Sequence, residues 1–205
     1  MKNTLLPGLQ STVDRLDTHT IPEERKPILH DLVDYIQHKL DNKEPVRLNF
    51  ICTHNSRRSQ FSQLWAQTAA HVYGVDAACF SGGTEATAFN ERAVASVRRA
   101  GFGVGESGTG NPLYSLSYAR EASALEMFSK TFDAESNPAA GFAAVMTCSD
   151  ADENCPFIAG ADKRIPLRYE DPKAFDGTDL EAEKYDERSM QIATELFYVF
   201  SKVRA

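Results

Sequence analysis

The chain has 205 residues, 42% of them apolar and 25% charged, an ordinary globular composition at a length that supports one sizeable hydrophobic core and is short for two full domains. Its 22 basic and 29 acidic residues leave a formal charge of -7 with no basic stripe, which argues against a nucleic-acid partner. No apolar run approaches the roughly 18 residues of a membrane span, so no membrane partner is expected.

The four cysteines are too few and too unevenly placed for a disulfide scaffold. The start, MKNTLLPGLQ, has neither a sustained apolar core nor a small-residue cleavage site. A cytoplasmic protein with reduced thiols is therefore the expectation.

In chain order, residues 1–45 read as a helical arm and residues 46–205 as an α/β domain. Thr20-Ile21-Pro22-Glu23 fits a capping box with proline in the first turn. Ile28, Leu29, Leu32, Val33, Ile36 and Leu40 follow at helical spacing, a stripe that can dock on a core or hold a partner; docking is the simpler reading. Residues 46–51 (VRLNFI) read as a strand and residues 58–72 as a helix. A second strand over 77–80 meets a turn at Ser81-Gly82-Gly83-Thr84, and a helix over 89–99 closes at Ala100-Gly101.

Five glycines fall within residues 101–111, and residues 114–119 and 124–132 read as a β-ribbon with a turn at Asn137-Pro138. The ribbon aromatics Tyr114, Tyr118, Phe128 and Phe132 are assigned mostly to packing, although they could flank a site entrance. Residues 141–147 read as a buried strand, 164–169 as an edge strand and 179–203 as a closing helix. Strands separated by helices predict an α/β fold. It is a parallel open sheet flanked by helices on both faces, with an N-terminal helical extension and a β-ribbon insertion.

The chemistry concentrates in Cys52-Thr53-His54-Asn55-Ser56-Arg57-Arg58-Ser59, where a strand runs into a loop and then a helix. A thiol there lies near amide N–H groups and the positive end of a helix, both of which favour a thiolate. The N–H groups of residues 53–57 can curl inward as an anion nest. Arg58, six positions after the cysteine, can close the ring with a bidentate fork, and the Ser59 hydroxyl can bond the sulfur. A tetrahedral oxyanion held there presents its central atom to Cys52, with Thr53, His54, Asn55, Ser56, Arg57 and Ser59 around it.

Cys52-x5-Arg58-Ser59, the loop asparagine Asn55, Ser81-Gly82-Gly83-Thr84 and Asp171-Pro172 together resemble the low-molecular-weight protein-tyrosine-phosphatase superfamily over about residues 46–203. The resemblance implies that Asp171 is the general acid. It also marks residues 1–45 and about 105–138 as additions to the usual small phosphatase. His54 stands where that family has glycine, which bears on the geometry of the nest. Arg57 is also atypical, and either tunes the thiolate or faces solvent.

A second cysteine pair, Cys148-Ser149-Asp150-Ala151-Asp152-Glu153-Asn154-Cys155-Pro156, lies just after the predicted strand over 141–147. Strand carboxyl ends share one edge of a parallel sheet, so Cys52, Cys148 and Asp171 are expected at that edge. Cys148 and Cys155 can pair only if the residues between them turn back. Two ordinary buried cysteines are the plain alternative.

Metal binding is not expected. Asp150-x-Asp152-x-Asn154 starts like a calcium loop, but Cys155 and Ala161 stand where that loop needs Gly and Glu. The five histidines show no zinc-type spacing with cysteine, Cys79 reads as core, and Gly101, Gly103 and Gly105 open no clear dinucleotide-binding helix.

The Cys148–Cys155 segment is similar to the resolving loop of thioredoxin-coupled arsenate reductases, which share the phosphatase fold. That resemblance implies a relay in which Cys52 attacks arsenate, Cys148 attacks Cys52, and Cys155 attacks Cys148. Thioredoxin is then the electron donor, and no bound cofactor is needed. The alternatives are a phosphatase hydrolysing phosphomonoesters, with Cys148 and Cys155 protecting the nucleophile, and an oxyanion-binding regulatory module.

Overall fold

Strand β1 (Val46–Cys52) is paired along both edges and buried on both faces, as expected of the apolar run VRLNFIC. The computed structural model describes residues 4–154 and 157–204. Within it, β1 lies between β2 (Ala77–Gly83) and β6 (Phe142–Met146), and β7 (Ala161–Ile165) completes a parallel sheet in the order β2-β1-β6-β7. Parallel neighbours need crossovers, and α3 (Arg58–Tyr73) supplies the one between β1 and β2.

Alternation along the strands separates two cores. Val46, Leu48 and Phe50 of β1 face the larger one, where α3, α2 (Lys26–Asp41) and α6 (Glu181–Lys202) cover the sheet. Trp65 of α3 sits edge-on to Phe197 of α6, with ring centroids 6.3 Å apart, and its indole N–H donates to Ser189 Oγ at 2.9 Å. Helix α4 (Glu91–Arg99) packs on α6.

Ile51, Cys52, Phe142, Ala144 and Met146 face the smaller core. There α5 (Ser149–Asn154), Ile158 and Phe132 close the sheet. Helices thus flank both faces, with far less helical cover on the second.

The N-terminal residues join the larger core: Leu5 and Leu9, at and within α1 (Pro7–Val13), are buried beside Ile21, Leu29, Leu32 and Ile36. The expected capping box does not form. Thr20 ends a 3-10 turn (Thr18–Thr20) and its hydroxyl donates to the Asp17 carbonyl. A second such turn (Glu23–Arg25) follows, and α2 starts only at Lys26, with Pro27 as the first-turn proline whose missing N–H costs nothing there.

Other boundaries shift for tertiary reasons. Ser81-Gly82-Gly83 is not a turn but the end of β2, in register with Phe50, Ile51 and Cys52. Its glycines are required by close approach: a Cβ on Gly82 would lie 2.2 Å from Phe132 Cα, and one on Gly83 would lie 2.6 Å from Thr53 O and 2.7 Å from Asn55 N.

The glycine-rich stretch also forms a strand, β3 (Gly103–Ser107). It pairs antiparallel with β4 (Leu113–Ser117), which pairs with β5 (Leu125–Met127), giving a three-stranded sheet where a two-stranded ribbon was expected. Tyr114 and Tyr118 are buried in the larger core and Phe132 packs on the smaller one, so these three pack. Strand β7 begins and ends earlier than the predicted edge strand, and residues 166–171 continue as irregular chain tied back by Tyr169 N–H to Thr147 O at 3.1 Å.

Cys79 is buried within β2, and burial pushes its thiol pKa up.

Two expectations follow. Gly83→Ala should destabilise the fold by about 1–3 kcal/mol, because the methyl meets backbone rather than a movable side chain, and urea unfolding would register it.

Lys130 is only 6% exposed with its ammonium 4.8 Å from the Phe128 ring, and burial pulls its pKa from 10.5 down to about 8. Between those two values the unfolded chain holds the proton and the folded chain does not. Stability should therefore rise as pH goes from 8 to 10.5, with the full penalty present below pH 8. Lys130→Met should raise stability at pH 7 by on the order of 2 kcal/mol and flatten that rise, which urea unfolding at pH 7 and pH 10 would measure.

Candidate active site

The loop between β1 and α3 has its carbonyls fastened from outside. Cys52 O accepts from Thr84 N–H at 3.1 Å, Thr53 O from Glu85 N–H at 2.8 Å and Ser56 O from Asn90 N–H at 2.9 Å. His54 O accepts from the hydroxyls of Ser129 at 2.9 Å and Thr87 at 3.2 Å, and Asn55 O from the Gln60 amide at 2.9 Å. In a trans peptide the next N–H points opposite to the carbonyl. The N–H groups of residues 53–57 are thereby turned away from these outer partners. Backbone amides left facing inward in this way can serve as an anion nest.

Asn55 occupies the left-handed region with φ 45°, which asparagine tolerates. Its Oδ1 accepts from Lys130 N–H at 3.0 Å and its Nδ2 donates to Ser59 Oγ at 2.9 Å. His54 does not take a positive φ, so its Cβ is accommodated where the resembling family has glycine. Its ring is half-exposed, 3.7 Å from Glu85. Because Ser59 Oγ accepts from Asn55, its own proton is free for Cys52 Sγ, 3.1 Å away.

Arg58 is held beside this loop by two bonds. Its Nη1 donates to Tyr169 O at 3.1 Å, its Nη2 to Asp171 Oδ2 at 2.7 Å, and its buried Nε has no partner among the described residues. An oxyanion that takes Nε and displaces Asp171 from Nη2 would receive the bidentate fork while Nη1 stays anchored.

Arg57 does not face solvent. Its Nη1 lies 3.4 Å from Asp171 Oδ2 and its Nε donates to Tyr185 Oη at 3.1 Å. Burial and the neighbouring Asp176 push the Tyr185 phenol up to about 12, so it stays protonated and donates to Asp176 at 2.8 Å. Cys52, His54, Ser56, Arg57, Arg58 and Asp171 line a cleft of ≈ 10 Å³, about the room one water needs.

Cys148 follows β6 and is buried in the same small core as Cys52. Its sulfur lies 3.5 Å from the Thr53 hydroxyl, which itself donates to Asp150 Oδ2 at 2.7 Å, and accepts from Ala151 N–H at 3.3 Å. Cys52 and Cys148 are both free thiols. Cys155, expected to complete the trio, lies outside the described residues.

The cysteine loop, Asp171 and Cys148 are thus at one end of the sheet. Within the loop, Asn55 and Ser59 are buried braces and the Thr53 hydroxyl turns toward α5. Sequence reasoning missed Tyr185, Ser129, Lys130 and Gln60 as supports. The first three lie far from the loop in the chain, and no motif marks any of the four.

No protein-family model matches the chain. It is 28% identical over 123 residues to arsenate reductase 2 of Staphylococcus epidermidis, covering 60% of this chain and 76% of that protein. The same identity and coverage hold for arsenate reductase 2 of Staphylococcus haemolyticus. The low-molecular-weight phosphotyrosine phosphatase from Vibrio cholerae shares the fold, with a TM-score of 0.51 and 10% identity over 76% of this chain and 94% of that one. This sheet order is thus the fold of a low-molecular-weight phosphotyrosine phosphatase, and the chain has arsenate reductases among its sequence relatives.

Proposed function

We propose that this protein reduces arsenate to arsenite through Cys52, Cys148 and Cys155, with thioredoxin as electron donor. The observation that carries the reading is the second thiol. Cys148 Sγ sits 3.5 Å from the hydroxyl of the residue next to Cys52, in the same small core. Hydrolysis itself needs one thiolate and an acid, and in a hydrolase a sulfur there would serve only to protect the nucleophile.

Arsenate enters the nest with two oxygens on Arg58 Nε and Nη2. The Cys52 thiolate attacks arsenic and one oxygen leaves as water, its proton supplied by Asp171, which lies against Arg57 and Arg58. The Cys148 thiolate then attacks Cys52 Sγ. The electron pair of the sulfur–arsenic bond stays on arsenic, arsenite departs, and a Cys52–Cys148 disulfide remains. Cys155 attacks Cys148, freeing the Cys52 thiolate, and thioredoxin reduces the Cys148–Cys155 bond.

One observation favours phosphomonoester hydrolysis as a second reading. A groove of ≈ 640 Å³ shares Ser56 with the cysteine loop and runs past Phe89, Val94 and Tyr114. Free arsenate needs no such space, whereas the organic part of an ester would fit it.

Cys148→Ser and Cys155→Ser should each lower arsenate-dependent NADPH oxidation, in the presence of thioredoxin and thioredoxin reductase, by at least about a hundredfold. Hydrolysis of an aryl phosphate ester should stay within about twofold of the unaltered protein. Arsenate turnover that survives both changes removes the relay. Arg58→Lys keeps the charge and loses the fork, so kcat/KM for either substrate should fall about a hundredfold in steady-state assays.

A further inference from the structure

Asp171 stands on irregular chain. β7 ends at Ile165, and no strand ladder holds residues 166–171 beside the loop. Leu167 and Tyr169 are buried in the larger core, and the backbone between them and Asp171 is placed by individual bonds: Tyr169 N–H to Thr147 O, Arg58 Nη1 to Tyr169 O, and the Arg168 guanidinium to Asp152 of α5.

One further bond comes from the N-terminal extension. Arg25 donates Nη1 to Arg168 O at 3.0 Å, and its guanidinium carbon lies 5.1 Å from the centre of the Tyr169 ring. Its other edge forks onto Glu195 of α6, Nε to Oε1 at 2.9 Å and Nη2 to Oε2 at 2.6 Å. Glu195 is 1% exposed, so the fork fixes the plane of the guanidinium from the core side.

We propose that Arg25 is a positioning residue for Asp171: it clamps Arg168 and Tyr169 against α6 and so holds the carboxylate two residues later over the cysteine loop. The N-terminal extension is then part of the machinery of the site rather than a cover on the core. The inference rests on the reading of Asp171 as the proton donor. Lysine cannot replace Arg25, because one ammonium on a flexible stem does not span Glu195, the Arg168 carbonyl and the Tyr169 face with fixed geometry.

Two variants test it. Arg25→Lys keeps a cation for Glu195, and Arg25→Gln with Glu195→Gln removes both charges so that no buried carboxylate is left alone. Each is made with Asp171 present and with Asp171→Asn, and turnover is measured on arsenate and on an aryl phosphate ester. Amide hydrogen exchange over residues 166–171 is followed in the same proteins.

With Asp171 present, kcat should fall about tenfold with KM little changed, as expected when a reacting group is misplaced rather than lost. With Asp171→Asn the same variants should change kcat less than about twofold, since the positioned group is already gone. Exchange should quicken over 166–171 and stay unchanged over β1.

An unchanged kcat in both variants, an equal loss in both backgrounds, or unchanged exchange over 166–171 would each overturn the positioning role. If Asp171→Asn alone costs nothing, the reading of Asp171 fails and the inference with it. A loss there without one at Arg25 sinks only the inference.

Discussion

Each carbonyl from Cys52 to Ser56 is bonded to a donor outside the loop, and the candidate site depends on that constraint. A loop whose carbonyls pointed inward would repel the oxyanion that its N–H groups attract. The donors that pull the carbonyls out are Thr84, Glu85, Thr87, Asn90, Ser129 and Gln60, contributed by the chain after β2, the segment after β5 and α3. Gly83 is what lets β2 come close enough, since any side chain there would strike Thr53 O and Asn55 N.

Around this nest the charges are arranged to be exchanged. Two guanidiniums, Arg57 and Arg58, share one carboxylate, Asp171, in a chain whose formal charge is -7. The excess is local and positive, which suits an anionic substrate. Arg58 has a fixed edge on Tyr169 O and a free Nε, so anion binding trades one acceptor for another without reorienting the group. Arg57 is tied to Tyr185 and lies against Asp171, so the carboxylate keeps a cationic neighbour when an anion takes its place on Arg58 Nη2.

Electrostatic preorganisation of this kind is effective because the donors need not move during reaction. α5 joins the same arrangement from the other core: Asp150 holds the Thr53 hydroxyl, and Asp152 pairs with Arg164 and Arg168. Helix α5 is therefore bonded through Asp150 to the cysteine loop and through Asp152 to the chain that bears Asp171.

Strand β1, helix α3 and the loop between them could be read directly, because the apolar run VRLNFI, the helical stripe of Phe61, Leu64 and Trp65, and Cys52-x5-Arg58-Ser59 are all local patterns. Gly82 and Gly83 are visible in the sequence and suggest a turn, but they end a strand. Glycine permits both a turn and close backbone approach, and only the position of Phe132 and Thr53 distinguishes them. The strand at Gly103–Ser107 was hidden for a related reason: glycine has low strand propensity, and pairing with β4 overrides it.

The sequence alone determined the chemistry that fits within one turn of chain, a thiol, an arginine and a hydroxyl spaced to surround a tetrahedral anion, and the parallel α/β class that puts them at a sheet edge. The tertiary structure decided everything that arrives from elsewhere. It set Asp171 on two arginines, Tyr185 behind Arg57, Cys148 beside Thr53, and Arg25 of the extension on the backbone of Arg168. These contacts join residues about a hundred or more positions apart. Each depends on the packing of several helices against one sheet, and a local pattern carries no record of that.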